Sequence, residues 1–231
     1  GVGYRHGGRT LGRSTMGGMA FDPVEHWQRV YGEKAPDAVS WYQRSPERSL
    51  SLILAHRTAD PCRVVDIGAG ASVLVDHLLR EGGFEPWLLD VSDRALAITR
   101  ERLGGIAGGV RFTGADITRP LSEPPAGWAD IWHDRAVFHF LTDEAGVRAY
   151  GANLARTLKP GGTAIIATFA PDGPLKCSGL EVRRHDGASV RAALAEAAAL
   201  ALVDELREDH ATPWGAAQKF CYSVLRRETG G

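Results

Sequence analysis

Three carboxylates and a glycine-rich turn carry the chemistry legible in this chain. Val64-Val65-Asp66-Ile67-Gly68-Ala69-Gly70-Ala71-Ser72 sets an apolar run, an acid and two glycines directly before a helical pattern. Glycine at a strand-to-helix turn lets the backbone come close to a ligand, because no Cβ stands in the way. Asp90 closes the next apolar run, Leu88-Leu89-Asp90, twenty-four residues after Asp66. A carboxylate at that place can accept hydrogen bonds from both hydroxyls of a ribose. Asp116, in Gly114-Ala115-Asp116-Ile117, follows the third run and can accept from an adenine amino group. Each acid also has a plainer reading: Asp66 bracing the glycine turn, Asp90 capping the next helix, Asp116 serving a turn. Together they mark the carboxyl edge of an open α/β sheet, where ligands bind.

The elements that must position these groups follow from hydrophobic periodicity. Short apolar runs at 63–66, 87–90, 110–112, 129–132 and 163–169 alternate with amphipathic stretches at 72–79, 93–103 and 144–158. That alternation predicts a parallel sheet flanked by helices. Residues 189–200 form an alanine-rich helical stretch, and 202–207 and 219–226 read as paired strands joined by a long loop. Upstream, residues 19–56 carry a helical pattern with Trp27, Val30 and Tyr31, then Trp41 and Tyr42, then Leu50, Ile53 and Leu54, which predicts an N-terminal helical cap on a core domain spanning 57–231. Residues 1–18 hold many glycines and arginines and few large aliphatics, so they are expected to be a disordered tail or a non-native extension, with a start near Met16 or Met19.

The chain resembles the class I S-adenosylmethionine-dependent methyltransferases from Phe21 to Arg227. The resemblance rests on Asp66-Ile67-Gly68-Ala69-Gly70, Asp90, Asp116 and Leu158-Lys159-Pro160-Gly161-Gly162. It implies a Rossmann-like, seven-stranded, mostly parallel sheet with an antiparallel C-terminal hairpin and helices on both faces. It further implies that the turn with Gly68, Ala69, Gly70 and Ser72 meets the methionine part of S-adenosylmethionine, that Asp90 binds its ribose, that Asp116 sits at its adenine, and that Asp66, Val91 and Ile117 also line the cofactor site. The family's third loop glycine is Ser72 here, a residue able to cap the following helix. A nicotinamide-binding fingerprint needs glycine where this chain has Val73, which disfavours an NAD(P)-dependent oxidoreductase.

On the acceptor side stands Trp132-His133-Asp134-Arg135-Ala136-Val137-Phe138-His139-Phe140-Leu141. By the resemblance, this segment faces the transferable methyl. His133 or Asp134 could act as a base for an acceptor that arrives protonated, while Asp134 could instead pair with Arg135 or Arg148 and order the loop. His139 reads as a packed histidine on an apolar helix. His210, Trp214 and Gln218, at the bend between the last two strands, could roof the acceptor, as could Trp41 and Tyr42, with Arg135 a further candidate acceptor contact; the aromatic and bend residues could equally be packing. Arg183 and Arg184 could hold an acceptor carboxylate, although a solvated pair is the commoner meaning. Cys177 has no neighbour that would activate it.

Composition narrows the partners. A net charge of -1 supplies no field for nucleic acid or an anionic membrane. The three cysteines cannot all pair and fit no zinc spacing, which points to the cytoplasm and to no metal. A small-molecule acceptor predicts a closed aromatic pocket under the cap, a protein lysine acceptor predicts an open channel with an acidic rim, and an oxidoreductase predicts dinucleotide binding. The stretch Asp134-Arg135-Ala136 is loosely similar to protein lysine methyltransferases, yet the small-molecule reading leads.

Overall fold

The computed structural model describes residues 21–33 and 35–229. The expected tail at 1–18 lies outside the described residues.

Seven strands form one sheet in the order β3-β2-β1-β4-β5-β9-β8. They are β1 (Cys62–Ile67), β2 (Phe84–Asp90), β3 (Arg111–Gly114), β4 (Ala129–Arg135), β5 (Leu158–Phe169), β8 (Leu200–Ala211) and β9 (Ala217–Arg227). The first five are parallel, and β9 runs antiparallel between β5 and β8. Strands β1, β2, β4 and β5 are buried on both faces, which is why they read as nearly unbroken apolar runs. The order reverses at β1, so the β1 and β4 ends open a crevice at the sheet's carboxyl edge.

Helices close both faces. On one side α5 (Glu144–Thr157) and α6 (Gly187–Leu194) pack Val147, Tyr150, Leu154, Val190 and Leu194 against Trp132, Ala164 and Ile166. On the other, α2 (Glu47–Ala55) and α3 (Leu74–Glu81) press Leu52, Ile53, Leu74 and Leu78 onto Val64, Ile131 and Ile165. α4 (Asp93–Leu103) begins at Ser92, whose hydroxyl accepts from Ala95 N at 3.2 Å, and α5 begins at Asp143, whose carboxylate accepts from Gly146 N at 2.7 Å.

The N-terminal segment differs from a continuous helical cap. α1 (Pro23–Glu33) is followed by a 3-10 turn (Pro36–Ala38) and an irregular stretch before α2, so Trp41 and Tyr42 sit in that stretch rather than on a helix. Pro36 and Pro46 account for the interruption, since a residue before proline is pushed out of the helical region. α1 is seated on the start of α4: the Ser92 hydroxyl and Arg94 N donate to Gln28 Oε1 at 3.1 and 3.3 Å, and Arg94 Nε donates to the Tyr31 carbonyl at 3.1 Å.

The last two strands are longer than expected and their turn is tight, because pairing runs on to His210↔Gln218 and Ala211↔Ala217. The stretch 171–186, read as a loop, contains a two-residue hairpin, β6 (Lys176–Cys177) with β7 (Leu180–Glu181). The alanine-rich helix ends at Leu194, six residues before the expected boundary, and the chain passes into β8.

Candidate functional site

The glycine turn after β1 is shaped by contacts that a side chain would prevent. Gly68 has φ +62°, and a Cβ there would lie 2.1 Å from Val137 Cγ2. Gly70 has φ +54°, and its Cβ would lie 2.2 Å from the Tyr31 hydroxyl. The turn thus packs against the loop after β4 on one side and against α1 on the other. From outside, the Thr99 hydroxyl donates to the Gly70 carbonyl at 3.1 Å, and Arg102 donates to the Ala71 and Ser72 carbonyls at 3.0 and 2.6 Å. Thr99 and Arg102 escape a sequence reading because their work depends on α4 lying beside the turn. The Ser72 hydroxyl accepts from Leu74 N at 3.1 Å and supports the first turn of α3, although Val73 is its N-cap.

Asp90 is buried at the end of β2. Its Oδ2 accepts from Gly70 N at 2.8 Å and its Oδ1 from Ser92 N at 2.7 Å. One carboxylate therefore ties the glycine turn to the β2 end and still has lone pairs to offer. Burial pushes its pKa up to about 6, against the lowering effect of those two backbone donors. Asp116 Oδ1 accepts from Thr118 N at 2.8 Å and the Thr118 hydroxyl at 2.7 Å, which holds the turn after β3 open beside the crevice.

A cavity of about 540 Å³ runs along this edge, within the usual range for small-molecule sites. Its floor holds Gly68, Asp90, Val91, Asp116 and Ile117, and its roof holds Trp27, Tyr31, Trp41 and Phe140. The roof rings meet edge to face, Trp27 with Trp41 at 5.5 Å and 81° and with Phe140 at 5.3 Å and 71°. A second, smaller cavity of about 50 Å³ is lined by Asp66, Gly68, Ala69, Ser72, Tyr42 and His133. Arg135 and Trp41 border both.

His133 stands opposite Asp66 in the β1–β4 register and beside this smaller cavity. Its Nδ1 lies 2.7 Å from Asp66 Oδ1 and its Nε2 2.9 Å from the Ser49 hydroxyl. With a proton on Nδ1 the ring donates to Asp66 and its Nε2 accepts from Ser49; the other tautomer reverses both roles. Ser49 carried no recognisable motif in the sequence.

Asp134 points to the opposite face. Its Oδ1 accepts from Val137 N at 2.9 Å, and its Oδ2 from Phe138 N at 3.1 Å and the Tyr150 hydroxyl at 2.8 Å. The residue between, Ala136, has φ +71°, so the carboxylate fastens a left-handed elbow that presents Val137 to Gly68. Burial pushes the Asp134 pKa up to about 7 from the ordinary 3.8. The folded state therefore binds this proton more tightly than the unfolded chain does. The associated stability is full below about pH 4 and lost as pH rises through about 7. Asp134→Asn does not titrate, so the stability difference between wild type and variant is expected to shift in the variant's favour from pH 4 to 8, as measured by urea melts. A difference independent of pH would contradict the buried, proton-binding environment of Asp134.

The remaining candidates brace the Trp41 segment or lie away from both cavities. His210 Nε2 lies 2.8 Å from the Ser40 carbonyl, and Arg135 donates from NH1 to the Trp41 carbonyl at 2.9 Å and from Nε to the Tyr222 hydroxyl at 3.0 Å. These two side chains clamp the Trp41 segment to the C-terminal hairpin. Trp214 is exposed, Gln218 is buried, and neither borders either cavity. His139 is fully buried, with a pKa lowered to about 3 by desolvation. Cys62, Cys177 and Cys221 are buried and unpaired, and burial raises the pKa of each thiol.

Residues 64–162 match the family model described as a methyltransferase domain. The matched segment is a methyltransferase domain, and with the fold it supports a class I S-adenosylmethionine-dependent methyltransferase. No curated protein matches this methyltransferase in sequence. Its fold is shared by solved structures of low identity. One, described as "Conversion of a Disulfide Bond into a Thioacetal Group during Echinomycin Biosynthesis", has a TM-score of 0.70 at 19% identity, covering 90% of this chain and 94% of that one. The 1,6-didemethyltoxoflavin-N1-methyltransferase of Burkholderia thailandensis, with bound 1,6-didemethyltoxoflavin and S-adenosylhomocysteine, gives 0.64 at 20%, covering 89% and 84%. The N-methyltransferase NodS of Bradyrhizobium japonicum WM9, in complex with S-adenosylhomocysteine, gives 0.65 at 15%, covering 88% and 100%. The methyltransferase uses S-adenosylmethionine as its cofactor. A buried acid with spare lone pairs at the β2 end, a turn that no side chain could occupy and an adjoining 540 Å³ cavity all fit that molecule. Among the described residues, no helix is long and apolar enough to cross a membrane, and no cluster of three or more His, Cys, Asp or Glu could hold a metal.

Proposed function

We propose that this methyltransferase transfers the methyl group to a small-molecule acceptor held beneath α1. The observation that carries this reading is the roof of the larger cavity, where Trp27, Tyr31, Trp41 and Phe140 cover the crevice with aromatic surface. A roofed apolar pocket suits a small molecule, and a protein side chain would need an open channel. In the same reading Asp90 takes the ribose hydroxyls, Val91, Asp116 and Ile117 flank the adenine, and the turn from Gly68 to Ser72, with Asp66, faces the methionine end. Bound there, S-adenosylmethionine supplies an electrophilic methyl on a sulfonium. The chain's own part is alignment, which can account for a large share of a displacement's acceleration.

His133 and Asp134 take positioning roles in this account. Both His133 nitrogens face partners at the Asp66 end, and both Asp134 oxygens hold the Ala136 elbow. The near-neutral net charge supports neither nucleic acid nor an anionic membrane as partner, and three unpaired thiols support a cytoplasmic setting.

The test is transfer of labelled methyl to thiols, amines, carboxylates, phenols and the proteins of a cell lysate. Label in small molecules is the expected result. Label confined to protein would establish the lysine-type alternative instead.

A further inference from the structure

We infer that the acceptor is a planar aromatic molecule bearing an anionic oxygen, and that Arg135 binds this oxygen. This rests on the small-molecule reading and narrows it. Arg135 is placed by β4 at the junction of the two cavities, and its side chain is 9% exposed. Two of its nitrogens are committed, Nε to Tyr222 and NH1 to the Trp41 carbonyl. The third, NH2, is buried with no hydrogen-bond acceptor among the described residues. The nearest carboxylate, Glu208, stands 3.7 Å away, beyond hydrogen-bonding distance, and its Oε2 already accepts from the Tyr222 hydroxyl at 3.2 Å.

A buried guanidinium donor without a partner is costly, and a carboxylate or ionised phenol brought by a ligand removes that cost with a charge-assisted bond. The other charged groups bordering the cavity cannot do this work. Arg119 is exposed, Glu181 pairs with Lys176 at 3.0 Å in solvent, and Asp143 caps α5. Arg135 is held in place by stacking, with its guanidinium carbon 4.3 Å from the Phe220 ring centroid. It cannot swing out to meet a ligand. The ligand must reach it past Trp27, Trp41 and Phe140, where Trp27 meets the other two rings edge to face and the aromatic surface suits a flat apolar body. A cationic amine would gain from these faces but would meet Arg135 at the inner end.

The experiment is a calorimetric titration of protein saturated with S-adenosylhomocysteine, using 4-hydroxybenzoate, 4-hydroxybenzamide and 4-hydroxybenzylamine, and the matching acid, amide and aminomethyl derivatives of naphthalene. At one ring size or both, the acid is expected to bind at least tenfold tighter than the amide, with the amine weakest and the acid's advantage reduced by salt. Arg135→Met should bring acid and amide within about twofold, with Arg135→Lys between; S-adenosylhomocysteine binding by the same samples reports that the site is intact. If Arg135→Met does not fold, the wild-type ranking and Arg135→Lys decide. Equal binding of acid and amide, tighter binding of the amine, or no binding at either ring size overturns the inference. Labelled transfer to small amines or thiols would then leave the small-molecule reading standing, whereas transfer to protein alone would end both.

Discussion

Asp90→Ala is expected to weaken S-adenosylmethionine binding by about 2–3 kcal/mol, roughly 30- to 150-fold. Two losses combine. The ribose hydroxyls lose a charged acceptor, and Gly70 N and Ser92 N, which Asp90 holds at 2.8 and 2.7 Å, lose their partner in a buried place. Asp90→Asn separates them, because an amide oxygen can still accept from the backbone while offering less to a ribose. The same carboxylate sets a pH limit. With its pKa near 6 before ligand binds, protonation removes acceptor capacity, so affinity should fall as pH drops below about 6. Calorimetry from pH 5 to 8 checks this, and the variants should lack that dependence. Undiminished affinity in a folded Asp90→Ala protein would remove Asp90 from the site.

Gly68→Ala carries the second large effect. The left-handed φ of +62° costs an alanine about 1 kcal/mol, and the new methyl would sit 2.1 Å from Val137 Cγ2. Overpacking of that kind adds about 1–3 kcal/mol. Gly127→Ala supplies the comparison, since Gly127 has the same φ of +62° with no described atom within 4 Å of its Cβ position. Urea melts should show Gly68→Ala less stable than Gly127→Ala by the overpacking share, and Val137→Ala should restore part of it. Equal losses in the two glycine variants would mean that the turn and the Ala136 elbow are not in contact.

The sheet was legible because its central strands are buried on both faces and announce themselves as apolar runs ending in acids, as in Val64 to Asp66 and Leu88 to Asp90. Element boundaries were less so: pairing with β9 extends β8 through the polar stretch to Ala211, where side-chain pattern gives no signal. The glycine turn and the positions of Asp90 and Asp116 beside one cavity followed from spacing, since each ends or follows a strand. Tertiary placement was not legible. Adjacent residues on β4 point to opposite faces, so His133 meets Asp66 while Asp134 meets Tyr150, and no local pattern could say which faced a ligand. Trp41 and Tyr42 read as helical because their spacing continued that of Trp27 and Tyr31. The structure brings Trp27, Tyr31 and Trp41 to one roof through α1 and the interrupted segment after it. Trp214 shows the converse: a tryptophan in a turn of suggestive composition that stays in solvent.

The most direct measurement is calorimetric titration of the purified chain with S-adenosylmethionine, S-adenosylhomocysteine and NAD. Saturable one-to-one heats with both adenosyl compounds, lost or greatly reduced in Asp90→Ala, and none with NAD are the outcome this architecture requires. A folded protein that gives no heat and no thermal stabilisation with either adenosyl compound would contradict it.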